Sequence, residues 1–134
     1  MIGGIIVSHG KLAEELLNAL TIILGEVTNM EAISIGWYDD VEESKKKINQ
    51  SVKRVDQKNG VLIFTDMFGG TPSNLSFSFL KDTQVEIITG VNLPMLIKFV
   101  SLQKSNNLSE AAKKVMEQGK KNIHLASALL NSKH

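Results

Sequence analysis

A histidine and an aspartate stand where two apolar strands should end. His9 follows Ile5-Ile6-Val7-Ser8, and Asp66 follows the apolar segment 61–65, which reads VLIFT. An aspartate that accepts a hydrogen bond from Nδ1–H of an imidazole fixes the ring tautomer and leaves Nε2 as a nucleophile. The two positions therefore predict a nucleophilic histidine at His9, with Asp66 as the residue that orients it.

The residues beside this pair suit an anion. Gly10 follows the histidine, and Gly69, Gly70 and Thr71 come shortly after the aspartate. Backbone N–H groups at the start of a helix favour a phosphate, and glycine lets the backbone approach it closely. We therefore expect these four residues to bind a phosphoryl group next to the histidine.

Other interpretations of the same residues are weaker. A lone histidine at a strand end is often structural, and Gly-Gly-Thr-Pro by itself is only a loop and a helix start. A metal site is disfavoured because His9 and Asp66 supply two ligands and no third is evident, so we predict neither a metal nor a cofactor. A Ser8-His9-Asp66 hydrolase is disfavoured because neighbouring residues of a strand point to opposite faces.

The elements that must position these residues alternate along the chain. Short apolar runs bounded by turn residues predict strands over 2–8, 31–37, 61–65 and 84–89, with helical patterns between them. This alternation predicts an α/β fold, with a mainly parallel sheet of four strands in order 2-1-3-4 and helices on both faces. Strands 1 and 3 would then lie about 4.8 Å apart at the switch point where such folds bind ligands.

Capping residues predict where the helices begin and end. Side-chain oxygens are typical of helix starts, whereas glycine or asparagine is typical of helix ends. The predicted starts are Leu12, Asp40, Thr71 (with Pro72 at the first helical position), Asn92 and Asn107, and the predicted ends are Gly25, Asn59-Gly60, Leu102 and Gly119.

The composition limits the class of protein. The 134 residues are 43% hydrophobic and 22% charged, with a net charge of +1. We expect one domain, residues 1–134, and the balanced charge does not suggest a nucleic-acid partner. The chain has no cysteine. Because no signal peptide or membrane-length apolar run is evident, we expect a cytoplasmic protein.

Three segments together resemble enzyme IIA of the mannose family of the bacterial phosphoenolpyruvate-dependent sugar phosphotransferase system. They read GIIVSHGKLAEELL, GVLIFTDMFGGTPSN and ITGVNLPML, in the family's order and spacing. The resemblance implies that His9 accepts phosphate from the phosphocarrier protein HPr and passes it to a histidine of the IIB component, and so to sugar uptake and phosphorylation at the membrane. It also implies that Asp66 pairs with the histidine and that Gly70 and Thr71 help to hold the phosphoryl group.

Apolar residues at the ligand edge are candidate contacts for protein partners. Met67 and Phe68 follow strand 3, and Leu93 and Met95 follow strand 4. The resemblance further implies a homodimer whose C-terminal strand is exchanged between subunits.

The tail after Gly119 is ambiguous. Its residues Ile123, Leu125, Leu129 and Leu130 are too apolar for a free tail. An exchanged fifth strand would cover an exposed sheet edge, which is a liability. A short helix that packs on its own subunit is the alternative.

Three other functions are compatible with part of this pattern. A receiver domain is phosphorylated on an aspartate that ends strand 3, but it needs an acidic pair after strand 1, where this chain has Ser8-His9-Gly10. The phosphotransfer subunit of dihydroxyacetone kinase also uses a strand-end histidine, and the Gly-Gly-Thr-Pro turn argues against it. A non-catalytic phosphate-binding regulator stays open, because a fold does not determine a function.

Overall fold

The computed structural model describes residues 1–81 and 84–131. Strands and helices alternate over most of the chain, as predicted. The strands are β1 (Gly3–His9), β2 (Met30–Ile35), β3 (Val61–Thr65) and β4 (Val85–Thr89). The helices are α1 (Leu12–Leu24), α2 (Val41–Val55), α3 (Gly70–Phe77), α4 (Leu93–Leu102), α5 (Leu108–Lys121) and α6 (Ala126–Asn131).

The four strands form one parallel sheet in the order β2-β1-β3-β4. The predicted fold class is therefore confirmed. In the register of β1 against β3, Val7 lies opposite Thr65. His9 is the last residue of β1 and Asp66 directly follows β3, so both lie at the carboxyl edge of the two central strands.

Helices cover both faces of the sheet because the strand side chains alternate between two apolar clusters. Ile6 belongs to the cluster that includes residues of α1, α4 and α5. Its neighbours Ile5 and Val7 belong to the cluster that includes residues of α2 and α3. All three are fully buried, as expected for a central strand of a parallel sheet with both faces covered.

Several predicted caps are confirmed. The Asp40, Asn92 and Asn107 side chains accept hydrogen bonds from backbone N–H groups in the first turns of α2, α4 and α5. The N–H of Gly25 closes α1 by donating to the carbonyl of Thr21. Helix α4 ends at Leu102, as predicted.

Two boundaries come earlier than predicted. Strand β2 ends at Ile35 because the next four residues, 36–39, form a turn in which Asp39 N–H donates to the carbonyl of Gly36. Helix α2 ends at Val55, and not at Asn59-Gly60, because Asp56 already has an extended backbone with ψ of 112°.

Thr71 does not cap α3, so this prediction was wrong. The helix begins at Gly70, and the preceding Gly69 forms no side-chain cap hydrogen bond. Gly69 and Gly70 have φ angles of 86° and 78°, in the region that residues with a side chain rarely adopt. Because these two glycines make the reversal between β3 and α3, Thr71 lies inside the helix.

Gly119 does not end α5, which continues to Lys121. A Cβ atom at Gly119 would lie 2.5 Å from Cε and 3.2 Å from Cβ of Met95. The side-chain amide of Asn92 also donates to the Gly119 carbonyl at 3.1 Å. The glycine therefore lets α5 approach the start of α4 closely, and this packing role replaces the predicted role as a helix end.

The tail forms a helix in the single chain, and not the fifth strand considered above. None of the residues of α6 is buried. Four apolar side chains of the tail are between 42% and 75% exposed: Ile123, Leu125, Leu129 and Leu130. Exchange of this segment between two subunits stays a prediction.

Candidate functional site

His9 and Asp66 meet at the carboxyl edge of the sheet, as predicted. Oδ2 of Asp66 lies 2.7 Å from Nδ1 of His9 and accepts a hydrogen bond from the His9 backbone N–H at 2.9 Å. The His9 side chain is 51% exposed, whereas that of Asp66 is 11% exposed. The carboxylate therefore holds one side of a ring whose other side faces solvent.

The carboxylate of Asp66 stays ionised in this setting. Burial raises its pKa, but the His9 backbone N–H, the hydrogen bond to the His9 ring, the charge of that ring and the backbone N–H of Asp66 itself lower it more. The net result is a pKa below the usual range for aspartate. Oδ1 is buried and has no hydrogen-bond partner among residues 1–81 and 84–131. Both hydrogen bonds to His9 therefore end on Oδ2.

Gly70 lies against the ring edge that carries Nε2. A Cβ atom built at Gly70 would be 2.9 Å from Cε1 and 3.1 Å from Nε2 of His9. The φ of 78° at this residue also disfavours any side chain. Only a glycine therefore lets the α3 start approach the nucleophilic nitrogen this closely.

The other two predicted glycines border open space and do not contact the ring through a position that a side chain would fill. A Cβ at Gly10 or Gly69 would meet nothing within 4 Å. The N–H of Gly10 already donates to the Ile35 carbonyl at 2.9 Å, so it is not an unused donor. What Gly10 supplies is the sharp turn, with φ of 54°, that leads from β1 toward α1.

Hydroxyl groups brace the loop between β3 and α3. Oγ of Ser73 donates to the carbonyl of Met67 and lies 2.7 Å from Oγ1 of Thr65. Both Ser73 and Thr65 are fully buried. These bonds connect the end of β3, the loop and the first turn of α3, and so fix Gly70 relative to the histidine.

An open cavity of about 440 Å³ lies next to His9. It is lined by His9, Gly10, Ile35, Gly36, Trp37 and Thr71. Trp37 is not among the predicted site residues, because the sequence pattern predicts it as part of the second strand. The signal that could have found it is the glycine in Ile-Gly-Trp-Tyr-Asp-Asp, which ends the strand before the aromatic pair.

Ser8 points away from the site. It is fully buried, and its Oγ accepts the N–H of Ala13 at 2.6 Å. This confirms that Ser8 and His9 point to opposite faces, and the arrangement is not a hydrolase triad. The serine instead anchors the start of α1 behind the histidine.

The candidate partner contacts differ in exposure. Met67 and Phe68 are 53% and 78% exposed, and the Phe68 ring lies 5.9 Å from that of Phe77. Leu93 is half-buried against the core. Met95 is 4% exposed and belongs to the core, which corrects its assignment as a contact residue, because its side chain packs against Gly119 of α5.

Two features typical of other classes of protein are absent from the described residues, 1–81 and 84–131. No group of three or more His, Cys, Asp or Glu side chains in this part of the chain could hold a metal ion. None of its helices is long and apolar enough to cross a membrane.

Comparison with known proteins places this geometry in a family. Residues 3–116 match the family described as the PTS system fructose IIA component. The fructose-specific EIIA component of Bacillus subtilis is 29% identical over 128 residues, which cover 95% of this chain and 88% of that protein. The mannose-specific EIIAB component of Escherichia coli is 30% identical over 131 residues, but these cover 92% of this chain and 39% of that longer protein.

The fold comparison agrees with the sequence comparison. The crystal structure of the phosphotransferase system component EIIA from Streptococcus agalactiae superposes with a TM-score of 0.87 at 26% identity. The match covers 96% of this chain and 99% of that one. By sequence and by fold, this chain belongs to the mannose-type EIIA family of the phosphotransferase system.

Proposed function

We propose that this chain is a phosphoryl carrier of the sugar phosphotransferase system. His9 accepts a phosphoryl group from phospho-HPr on Nε2 and passes it to a histidine of the IIB component. The observation that carries the proposal is the contact of 2.7 Å between Nδ1 of His9 and Oδ2 of Asp66. This contact occupies Nδ1 and supports Nε2, which lies beside Gly70, as the nitrogen that reacts.

The proposed step is a transfer between two nitrogen atoms. The lone pair of Nε2 attacks phosphorus, the bond from phosphorus to the donor histidine breaks, and the donor nitrogen keeps that electron pair. Nδ1 of His9 retains its proton, so the phosphorylated ring is cationic. The ionised Asp66 stabilises that cation and orients the ring before the attack.

The phosphoryl oxygens require hydrogen-bond donors, which we assign to the start of α3. Gly70 places this backbone within contact distance of Nε2, and Thr71 lines the same cavity. Backbone N–H groups at a helix start and the Thr71 hydroxyl are suited to an anion. No metal ion or other cofactor takes part in the step as we propose it.

We further propose that the carrier works as a cytoplasmic homodimer, and that it reaches the membrane components only through IIB. An apolar cavity of about 520 Å³ beside β4 is lined by residues that include Phe68, Ile87 and Ile123. Strand β4 is an edge strand, which another chain can cover. The exposed apolar side chains of the tail supply a suitable partner surface.

The test is phosphorylation with labelled phosphoenolpyruvate, enzyme I and HPr, followed by mapping of the label and addition of IIB. We expect one acid-labile, alkali-stable phosphate on His9 that moves to IIB. His9→Gln should accept no label and keep its fold, because the ring is half exposed and packs little. His124→Gln is the matched control and should be labelled like the wild type.

Two results would contradict the carrier function. A phosphate-binding regulator would stay unlabelled in the complete mixture. Label on Asp66 or on another histidine would show that the site is used differently.

A further inference from the structure

Two exposed aromatic side chains stand at the rim of the His9 cavity. Trp37 and Tyr38 are 91% and 94% exposed. Trp37 lines the cavity together with His9 and Thr71. Large aromatic side chains of this kind bury much apolar area when a partner covers them, and they are enriched among residues that dominate protein interfaces.

The turn that carries them is braced at both ends. The N–H of Gly36 donates to Oδ2 of Asp39 at 2.7 Å, and the N–H of Asp39 donates to the Gly36 carbonyl at 3.3 Å. The side chain of Asp40 then caps α2 by accepting the N–H of Glu42 at 3.2 Å. The aromatic pair is therefore presented by a preorganised turn, which lowers the entropy cost of binding.

Acidic residues border this turn. Asp39, Asp40, Glu42 and Glu43 are all exposed at the same end of α2. On the side of α2, the surface next to the cavity is thus apolar at its centre and negative at its border, whereas the exposed Lys11 follows Gly10 on the side of α1. A complementary partner is apolar around its own reactive group and has lysine or arginine residues beyond it.

We propose that Trp37 and Tyr38 form the anchor that binds the phosphoryl donor, and this inference rests on the function proposed above. The donor's phosphorus must come within about 3–3.5 Å of Nε2 of His9, so the donor covers the cavity and its rim. The turn is exposed beside His9, where the donor must approach. The partner of this surface is therefore a protein whose phosphohistidine lies in an apolar patch with a basic border.

Phosphoryl transfer from purified phospho-HPr tests the anchor. For the variant Trp37→Ala/Tyr38→Ala we expect a KM for phospho-HPr about tenfold or more above the wild-type value, with kcat unchanged. Trp37→Phe should recover part of the affinity because it restores an aromatic ring. The matched control is Ile22→Ala, which removes an apolar side chain that is 84% exposed. Ile22 lies about 15 Å along α1 from Leu12, the first residue of that helix.

Two further measurements use the charge and the single tryptophan. Glu42→Gln/Glu43→Gln should raise the KM at low ionic strength, and the difference should vanish at high salt because screening removes it. Trp37 is the only tryptophan of the chain, so its fluorescence reports directly on this turn. Its emission should shift to shorter wavelength when tryptophan-free, unphosphorylated HPr is added.

The outcomes separate this inference from the function on which it rests. If the wild type accepts no phosphate on His9, the proposed function itself fails. If the wild type is labelled and the double variant keeps the wild-type KM, the anchor is overturned while the function stands. The anchor is also overturned if the double variant is impaired only in transfer to IIB. It is overturned as well if Trp37 emission shifts with the chain's own concentration, because this would indicate a second copy of the chain on this surface.

Discussion

His9 and Asp66 are joined by two hydrogen bonds that end on the same carboxylate oxygen. Oδ2 of Asp66 accepts the backbone N–H of His9 at 2.9 Å and lies 2.7 Å from its ring Nδ1. One atom thus fixes the end of β1 and the orientation of the imidazole. A change at Asp66 should affect the reactivity of the ring more than the stability of the fold.

Asp66→Asn should slow phosphoryl transfer by a factor of about 10²–10⁴, the usual range for a group that assists proton placement. The amide keeps the size of the side chain but has no charge to stabilise the cationic phosphohistidine. The measurement is the transfer rate from phospho-HPr and to IIB, with the ring tautomer followed by ¹⁵N chemical shifts. Unchanged rates in both directions would assign Asp66 a purely structural role.

The lowered pKa of Asp66 predicts how stability depends on pH. The unfolded carboxyl titrates near pH 3.9, and the folded one titrates at a lower pH. The ionised carboxylate therefore adds stability that is fully present above about pH 4–5 and is lost as the pH falls through the folded-state pKa. Chemical unfolding of the wild type and Asp66→Asn at a series of pH values should show a difference that shrinks over this acidic range.

His9→Gln should raise the pKa of Asp66 relative to the wild type. The variant loses the hydrogen bond and the charge of the ring but keeps the backbone N–H that also binds Oδ2. Carboxyl ¹³C chemical shifts across an acid titration measure the change. An unaltered titration midpoint would show that the backbone N–H alone sets the pKa.

Gly70→Ala should slow transfer through a clash with the imidazole. The added Cβ would lie 2.9 Å from Cε1 of His9, and a positive φ costs a residue with a side chain about 1–2 kcal/mol. Gly90→Ala is the matched control, because its φ of 81° carries the same backbone cost while a Cβ there meets nothing within 4 Å. Both variants should lose similar stability in thermal unfolding, and only Gly70→Ala should lose transfer rate.

Truncation after Lys121, where α5 ends, should convert the proposed dimer into a monomer. The removed tail carries Ile123, Leu125 and Leu129, whose apolar side chains are exposed in the single chain. Light scattering of the full and shortened chains at equal concentration checks this. A shortened chain that keeps the dimer mass would show that other surfaces join the subunits, and a monomeric full chain would remove the assembly proposal.

The sequence by itself determined the order of the strands and the positions of His9 and Asp66 at strand ends. Apolar runs such as 61–65 reveal burial on both faces, and capping residues such as Asn107 act within one helical turn, so both signals are local. The family resemblance, carried by three motifs, is confirmed by the matching family and by the solved EIIA structures.

The tertiary structure decided what depends on contacts between distant segments. His9 and Asp66 are 57 residues apart, and only the register of β1 against β3 brings both hydrogen bonds to one oxygen. Gly119 was predicted to end a helix, but it lies inside α5, where it packs closely against Met95 of α4. The turn that exposes Trp37 was also not predicted from the sequence, because an aromatic residue after an apolar run is equally compatible with a longer strand. Local periodicity encodes which side chains are buried, whereas the contacts that shape a site depend on how the elements pack.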